Sequence, residues 1–164
     1  MPVPQVLVEY VVNGIESTTP ILQSMLGNVS STDPVWTQQV AGRFTLKEAL
    51  AHWADWNTVF IERVQTTLRE MNPILPSIDE GALSTERQYS QQDPIENLTR
   101  FSQSRASLVT ELREVRSEDW SRPCHRELVG DLTLFQLVTM ILGHDAYHLR
   151  QVADYLATRP TRPL

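Results

Sequence analysis

Apolar residues recur at helical spacing in four segments of the chain, and proline, glycine and short polar residues separate these segments. The first segment covers about residues 6–29 and is interrupted by Pro20. Two alternatives follow: a helix kinked at Pro20, or a fresh helix capped by Thr19 with Pro20 at its first position. We expect one interrupted helical arm, followed by a loop over residues 30–34.

The second segment has a clear start and a clear stop. Thr45 and Glu48 have the spacing of a capping box, which predicts a helix from Leu46 onward. The apolar pattern then continues to residue 68 and stops before Asn72 and the proline that follows it. Residues 73–92 contain two prolines and a glycine, so we expect a long connection there, of a kind that is often functional or mobile.

The third and fourth segments complete the helical pattern. Asp93 followed by Pro94 is a good cap with a first-turn proline, and the third helix then extends to about Val115. Residues 117–130 are expected to form a turn region. The fourth helix is expected to start near residue 131 or 132 and to end near Thr158, and it has the strongest helical period in the chain.

No segment alternates in the way that strands do, so the pattern predicts an all-α fold. Four long amphipathic helices with one long connection are typical of a four-helix bundle. A chain of 164 residues fits one domain, and we expect residues 1–164 to form it.

Composition and charge narrow the class of protein. The formal net charge is -6, from 20 acidic and 14 basic residues, which argues against binding to nucleic acid or to anionic lipid. The single cysteine, Cys124, excludes an intramolecular disulfide and suits a reducing compartment. We see no basic leader before an apolar run and no apolar run near the roughly 20 residues of a membrane span. A soluble, cytoplasmic protein is therefore expected.

Three of the four histidines form a candidate metal site. His144 and His148 are four residues apart on the fourth helix, so their side chains share one face and can ligate one ion. His52 lies at the border of the apolar stripe of the second helix. If the second and fourth helices are neighbours, three neutral imidazoles can bind one divalent ion and leave coordination positions open, as in catalytic sites.

Other interpretations of these histidines stay open at this point. Two histidines at this spacing are common on helices, and the set could be a hydrogen-bonded core cluster or an acid-sensitive patch. His125, which lies in a predicted loop, is expected at the surface. Cys124 beside it could be a soft ligand, but no second ligand stands at metal spacing from it.

Carboxylates supply no clear general base. Asp145 falls near the centre of the apolar stripe of the fourth helix, where a carboxylate needs partners. It either orients a ligating histidine or pairs with a backbone amide or an arginine of another helix. Asp55 is expected on a solvated face, with a contact to a ligating histidine as the alternative. Asp55, Asp145 and Tyr147 are candidate bases by proximity only, so the catalytic residues are left unassigned.

Two stretches resemble the DinB-like family. Residues 42–52, GRFTLKEALAH, look like the start of the second helix in those proteins, and residues 143–152, GHDAYHLRQV, resemble their last-helix motif H-D-x-x-H followed by Gln. The resemblance extends over nearly the whole chain. It implies a four-helix bundle of up-up-down-down topology and a three-histidine metal site at His52, His144 and His148. Pro20 departs from the pattern and puts the groove near the first helix in doubt.

The resemblance also implies functions. The family is similar in architecture to metal-dependent thiol transferases and isomerases that use bacillithiol or mycothiol, and many members look dimeric. We therefore expect a divalent metal, first zinc or nickel, with iron or manganese as alternatives. The first expectation is an S-transferase that joins a low-molecular-weight thiol to small electrophiles, acting as a homodimer. The alternatives are a metal-dependent hydrolase or a non-catalytic, stress-related binding protein.

Overall fold

The predicted four-helix bundle is confirmed. The computed structural model describes residues 3–158 and contains four long helices, one short helix and a small sheet. The helices are α1 (Gln5–Leu26), α2 (Leu46–Arg69), α3 (Glu80–Glu86), α4 (Pro94–Glu114) and α5 (Leu134–Ala157). The strands are β1 (Ile74–Leu75), β2 (Pro123–Arg126) and β3 (Gly130–Thr133). Among residues 3–158, no helix is long and apolar enough to cross a membrane.

The helix starts follow local side-chain caps. The predicted capping box at Thr45 is present, with Thr45 and Glu48 bonded to each other's backbone N–H groups. α5 starts at Leu134, slightly later than expected, and a second capping box with Thr133 as the cap precedes it. The start is later because residues 130–133 pair as a strand and do not form a first helical turn.

α1 continues through Pro20 as a single helix. The alternative of a new helix capped by Thr19 is wrong, since the Thr19 hydroxyl is buried and has no hydrogen-bond partner. A proline inside a helix costs roughly 3 kcal/mol. Burial of Ile15, Thr18 and Leu22 around it offsets that cost.

A three-stranded sheet lies where turns and loops were expected. β1 pairs with β2 in parallel, and β2 pairs with β3 in antiparallel fashion. The pattern missed this sheet because strands of two to four residues are too short to show alternation. The sheet joins the connection that follows α2 to the connection that precedes α5.

The directions of the four long helices differ from the expected topology. One apolar cluster contains the start of α1, the end of α2, the end of α4 and the start of α5, with Val12, Val64, Leu112 and Leu134 as members. The second cluster contains the opposite ends of the same helices, with Leu26, Leu46, Phe101 and Tyr155 as members. α1 and α5 therefore run one way and α2 and α4 the other, so the topology is up-down-down-up.

The expected up-up-down-down order is thus wrong, and the connections explain why. α1 and α2 each pack against α4 and α5, so α1 and α2 occupy diagonal corners of the bundle. The connection over residues 27–45 leaves α1 and enters α2 at the same end of the bundle. α2 and α4 are parallel, so residues 70–93 must return along the bundle, which accounts for the length of that connection.

Candidate metal centre

The three predicted histidines converge at one point between α2 and α5. The Nε2 atom of His144 lies 3.3 Å from Nε2 of His52 and 3.2 Å from Nε2 of His148. One ligand atom from each ring can be chosen so that all three lie within 4.8 Å of one another. Among residues 3–158, this is the one group of three or more His, Cys, Asp or Glu side chains with such spacing.

This donor set fits a divalent ion. Two imidazole nitrogens that each bind a tetrahedral zinc at about 2.0–2.1 Å are roughly 3.3 Å apart. The observed distances from His144 to His52 and His148 match that separation. Each neutral imidazole offers one lone pair, so three Nε2 atoms facing one another need a shared cation or protons between them. Imidazole nitrogens suit zinc, nickel, copper and iron alike.

Gln151 sets the orientation and tautomer of His148. The Nε2 atom of Gln151 donates to the carbonyl of Phe44 at 3.1 Å, which leaves its Oε1 to accept from Nδ1 of His148 at 3.0 Å. His148 therefore carries its proton on Nδ1 and presents a lone pair at Nε2. We assigned no role to Gln151 from the sequence, although it stands one turn after His148 within the family motif.

Burial keeps the imidazoles neutral. His52 and His148 are 2% and 3% exposed, and His144 is partly buried. Loss of solvation, helped by the neighbouring histidines, lowers the pKa of His52 to about 3 and that of His144 to about 2. Burial also lowers the pKa of His148, while its bond to Gln151 acts in the opposite direction. Neutral imidazoles are the form that binds metal.

These pKa shifts predict that acid destabilises the metal-free protein. Below about pH 6.5 the unfolded chain binds protons at these histidines, whereas folded His52 and His144 stay neutral down to about pH 3 and pH 2. Each should therefore cost about 1.4 kcal/mol of unfolding free energy per pH unit as the pH falls below 6.5. Urea denaturation of chelator-treated protein between pH 7 and pH 5 measures the slope.

A variant separates the contribution of the buried histidines to the pH dependence of unfolding free energy from that of other titrating groups. His144→Gln removes one titrating imidazole and should make the pH slope shallower by that amount. His125→Gln serves as the matched control, because the His125 ring is half-exposed and bonds Asp131. Equal slopes for wild type and His144→Gln would contradict the prediction.

Asp145 is buried as expected, and its partners favour one of the two alternatives. Its carboxylate forms an ion pair with Arg105 of α4, and it also accepts hydrogen bonds from Thr18 and Trp53, both at 2.8 Å. No hydrogen bond joins it to a histidine in the part of the chain that the structure describes. Asp145 therefore ties α5 to α1, α2 and α4, which fixes the helix that carries His144 and His148.

Arg105 completes a buried hydrogen-bond network around Asp145, which we call the Asp145 network. Its guanidinium donates to the side chain of Asn57, to the carbonyl of Ile15 and to both oxygens of Asp145. Asn57 in turn donates to the backbone of Phe101. Both charges are paired and hydrogen-bonded, which is the condition under which a buried ion pair is tolerated.

The expectation that Asp55 lies on a solvated face is wrong. Asp55 is 2% exposed and accepts a hydrogen bond from the hydroxyl of Tyr89 at 2.9 Å. Arg87 and Arg100 pair with the same carboxylate. The sequence pattern missed this because Arg87 and Tyr89 lie in the long connection and Arg100 lies in α4, so all three meet Asp55 only in the folded bundle. With these partners, Asp55 is a structural anchor and not a free base.

A groove of about 860 Å³ opens onto the three histidines. Residues 39–44, Tyr147, Gln151 and Glu80 of α3 line it together with the three rings. Tyr147 is 58% exposed and its ring packs edge-on against His148. Burial raises the pKa of Glu80. With Asp55 and Asp145 committed elsewhere, Glu80 and Tyr147 are the proton-carrying side chains that face the groove.

The remaining candidates lie away from this point. His125 has a 44% exposed side chain, as expected for a surface residue, although it lies on β2 and not in a loop. Its Nδ1 is 2.7 Å from the carboxylate of Asp131. Cys124 is fully buried, and burial raises the pKa of its thiol.

The fold and the site together define a four-helix bundle with three converging histidines on two of its helices. The sequence profile of the DinB superfamily matches residues 15–152, and the chain belongs to that superfamily. The family resemblance seen in the two motifs is therefore confirmed.

Among solved structures, the chain is similar to YfiT from Bacillus subtilis, which is described as a probable metal-dependent hydrolase with an unusual four-helix bundle topology. The TM-score is 0.85 at 16% sequence identity, and the match covers 94% of this chain and 89% of that chain. At this identity the likeness establishes the fold. No curated protein sequence matches the chain.

Proposed function

We propose that this protein is a metal-dependent hydrolase of a small molecule, with one divalent ion held by His52, His144 and His148. The single observation that carries the proposal is the convergence of three neutral Nε2 atoms at the floor of an open groove. Three protein ligands with an accessible fourth position are typical of catalytic sites, whereas structural sites are closed. The open groove therefore favours an enzyme over a non-catalytic binding protein.

The residues around the ligands have separable roles in this proposal. When bound, a divalent ion supplies Lewis-acid activation at the floor of the groove. Gln151 holds the His148 ring in the ligating tautomer, and the Asp145 network holds α5 in register with α2. Glu80 and Tyr147 face the groove, where each can hold or pass a proton to the substrate.

Hydrolysis stands first because the similar structure, YfiT, is described as a probable metal-dependent hydrolase. The S-transferase expected from the family resemblance uses the same ligands, with a low-molecular-weight thiol in place of water. Zinc and nickel remain the first proposals for the metal, followed by iron and manganese. We further propose that the enzyme is cytoplasmic. We also propose that it forms a homodimer, and size-exclusion chromatography with light scattering measures its oligomeric state.

Metal-dependent turnover is the direct test. Chelator-treated protein reloaded with zinc, nickel, iron or manganese is assayed against small ester and amide substrates, with and without a low-molecular-weight thiol. We expect hydrolysis that is lost on chelation and restored by one of these ions. Turnover only in the presence of thiol would overturn the hydrolase function and favour the S-transferase function. Bound metal without turnover under either condition would favour the non-catalytic binding protein.

A further inference from the structure

A second cavity, of about 380 Å³, also reaches His144. Its walls are largely apolar, and its two charged groups are one arginine and one glutamate. The lining residues are Trp56, Phe60, Glu80, Arg126, Met140, Gly143 and His144. We refer to this cavity as the Arg126 pocket. Its volume lies near the lower end of the range for small-molecule sites, so it suits a small ligand or one end of a larger one.

Arg126 has no carboxylate partner. Within residues 3–158 it takes part in no ion pair, and its one side-chain contact of hydrogen-bond type joins Nη1 to the sulfur of Met140 at 3.6 Å. A thioether is a weak acceptor. The Nε atom of Arg126 is buried and has no partner. A guanidinium in such surroundings is expected to bind a charged acceptor, because buried N–H groups left unpaired are costly.

Arg63 adds a second positive charge to this region. Its Nη2 donates to the carbonyl of Pro76 at 2.9 Å, while its buried Nη1 has no partner. Burial and the nearby charge of Arg126 lower the pKa of Arg63 to about 10. Two guanidiniums that repel each other, each with an unsatisfied N–H group, create a local positive field in a protein whose net charge is -6.

Among the residues that the structure describes, the carboxylates near this region form no ion pair with Arg126. Glu80 lines the Arg126 pocket; burial, the larger effect, raises its pKa, and the charge of Arg126 lowers it. The two side chains nevertheless lie beyond ion-pair distance of each other. Glu127, next to Arg126 in the chain, accepts a hydrogen bond from the backbone of Ser77 at 2.8 Å. Arg126 therefore keeps an N–H group without a partner, which a carboxylate of a ligand can accept from.

We propose that the Arg126 pocket binds a carboxylate group of the substrate, which is a small organic acid with an apolar body. The carboxylate pairs with the guanidinium of Arg126, and the body packs against Trp56 and Phe60. Both aromatic rings also contact His144, with centroids 6.2 Å and 5.5 Å from it. The pocket thus aligns the reactive group of the substrate with the three histidines. The claim that this ligand is the substrate rests on the proposed function, while binding of a carboxylate in the pocket can be tested alone.

Calorimetric titration with benzoate tests the pocket without turnover. Benzoate carries a carboxylate on an apolar ring, and benzyl alcohol is its uncharged counterpart. His148→Ala protein is titrated beside wild type, so that binding to a metal ion cannot account for the signal. We expect benzoate to bind both proteins, and benzyl alcohol to bind at least tenfold more weakly. Arg126→Met should weaken benzoate binding at least tenfold in both backgrounds, because a charge-assisted bond is lost.

Arg113→Met is the matched control, since Arg113 lies on the exposed surface of α4 and pairs with Glu16. It should bind benzoate as wild type does. Arg126→Lys provides a second variant, which retains the charge and loses the two-pronged geometry, and intermediate affinity is expected. Unchanged affinity in Arg126→Met, or equal binding of benzyl alcohol, would overturn the proposal.

Two further outcomes separate this inference from the proposed function. Inorganic phosphate that displaces benzoate at equal concentration would overturn the assignment to a carboxylate. Benzoate binding that depends on Arg126, in a protein that shows no metal-dependent turnover, would support carboxylate binding in the Arg126 pocket and overturn the proposed hydrolase function. Turnover of neutral and carboxylate-bearing esters with equal KM would support the hydrolase function and overturn the proposal that the Arg126 pocket binds a substrate carboxylate.

Discussion

Replacing His148 with alanine is expected to abolish metal retention while leaving the helix content largely intact. His148 supplies one of three ligand atoms, and its Nε2 lies 3.2 Å from that of His144, so its removal leaves two ligands for the ion. Alanine is the best helix former and fits the middle of α5. Elemental analysis of wild type and His148→Ala, loaded and desalted in parallel, measures the metal, and far-UV circular dichroism measures the helix content.

His125→Ala is the control for this experiment. His125 is half-exposed on β2 and belongs to no ligand cluster in the described part of the chain, so the variant should retain one ion per chain. Equal metal in wild type and His148→Ala would remove the three-histidine site from consideration. Loss of metal in both variants would show that binding is not specific to the cluster.

Asp145→Ala is expected to cost about 3–5 kcal/mol of unfolding free energy, because it leaves the charge of Arg105 buried without a partner. Arg105 is 1% exposed, and the lost carboxylate also accepts hydrogen bonds from Thr18 and Trp53. A domain of this size typically has about 5–15 kcal/mol of stability, so the loss is a large share. Urea denaturation of the metal-free proteins at pH 7 measures it.

The exposed ion pair between Arg43 and Asp154 supplies the control. Its side chains are 40% and 46% exposed, so Asp154→Ala should change stability by no more than about 1 kcal/mol. A loss for Asp145→Ala as small as that for Asp154→Ala would contradict the role given to the buried network. Asp145→Asn, which keeps the shape and part of the hydrogen bonding, should fall between the two.

Most of the helical structure could be predicted from the chain because its causes are local. The capping box at Thr45, the cap and proline at Asp93 and Pro94, and the apolar periodicity each involve residues within a few positions of one another. The same holds for His144 and His148, whose shared face follows from helix geometry. His52 was a candidate because it borders the apolar stripe of the second helix, and the resemblance of residues 42–52 to the family implied it as the third ligand. In the structure its Nε2 lies 3.3 Å from that of His144.

The sequence alone thus determined the four long helices, the family and the three candidate histidines, since each depends on spacing within one segment or on a motif. That these histidines meet between α2 and α5 was decided by the tertiary structure. Only the tertiary structure decided the up-down-down-up order, the small sheet, the partners of Asp55 and Asp145, and the unpaired state of Arg126. These features join residues that are distant in the chain. Their pairing depends on which helix ends pack together, and apolar periodicity carries no information about that choice.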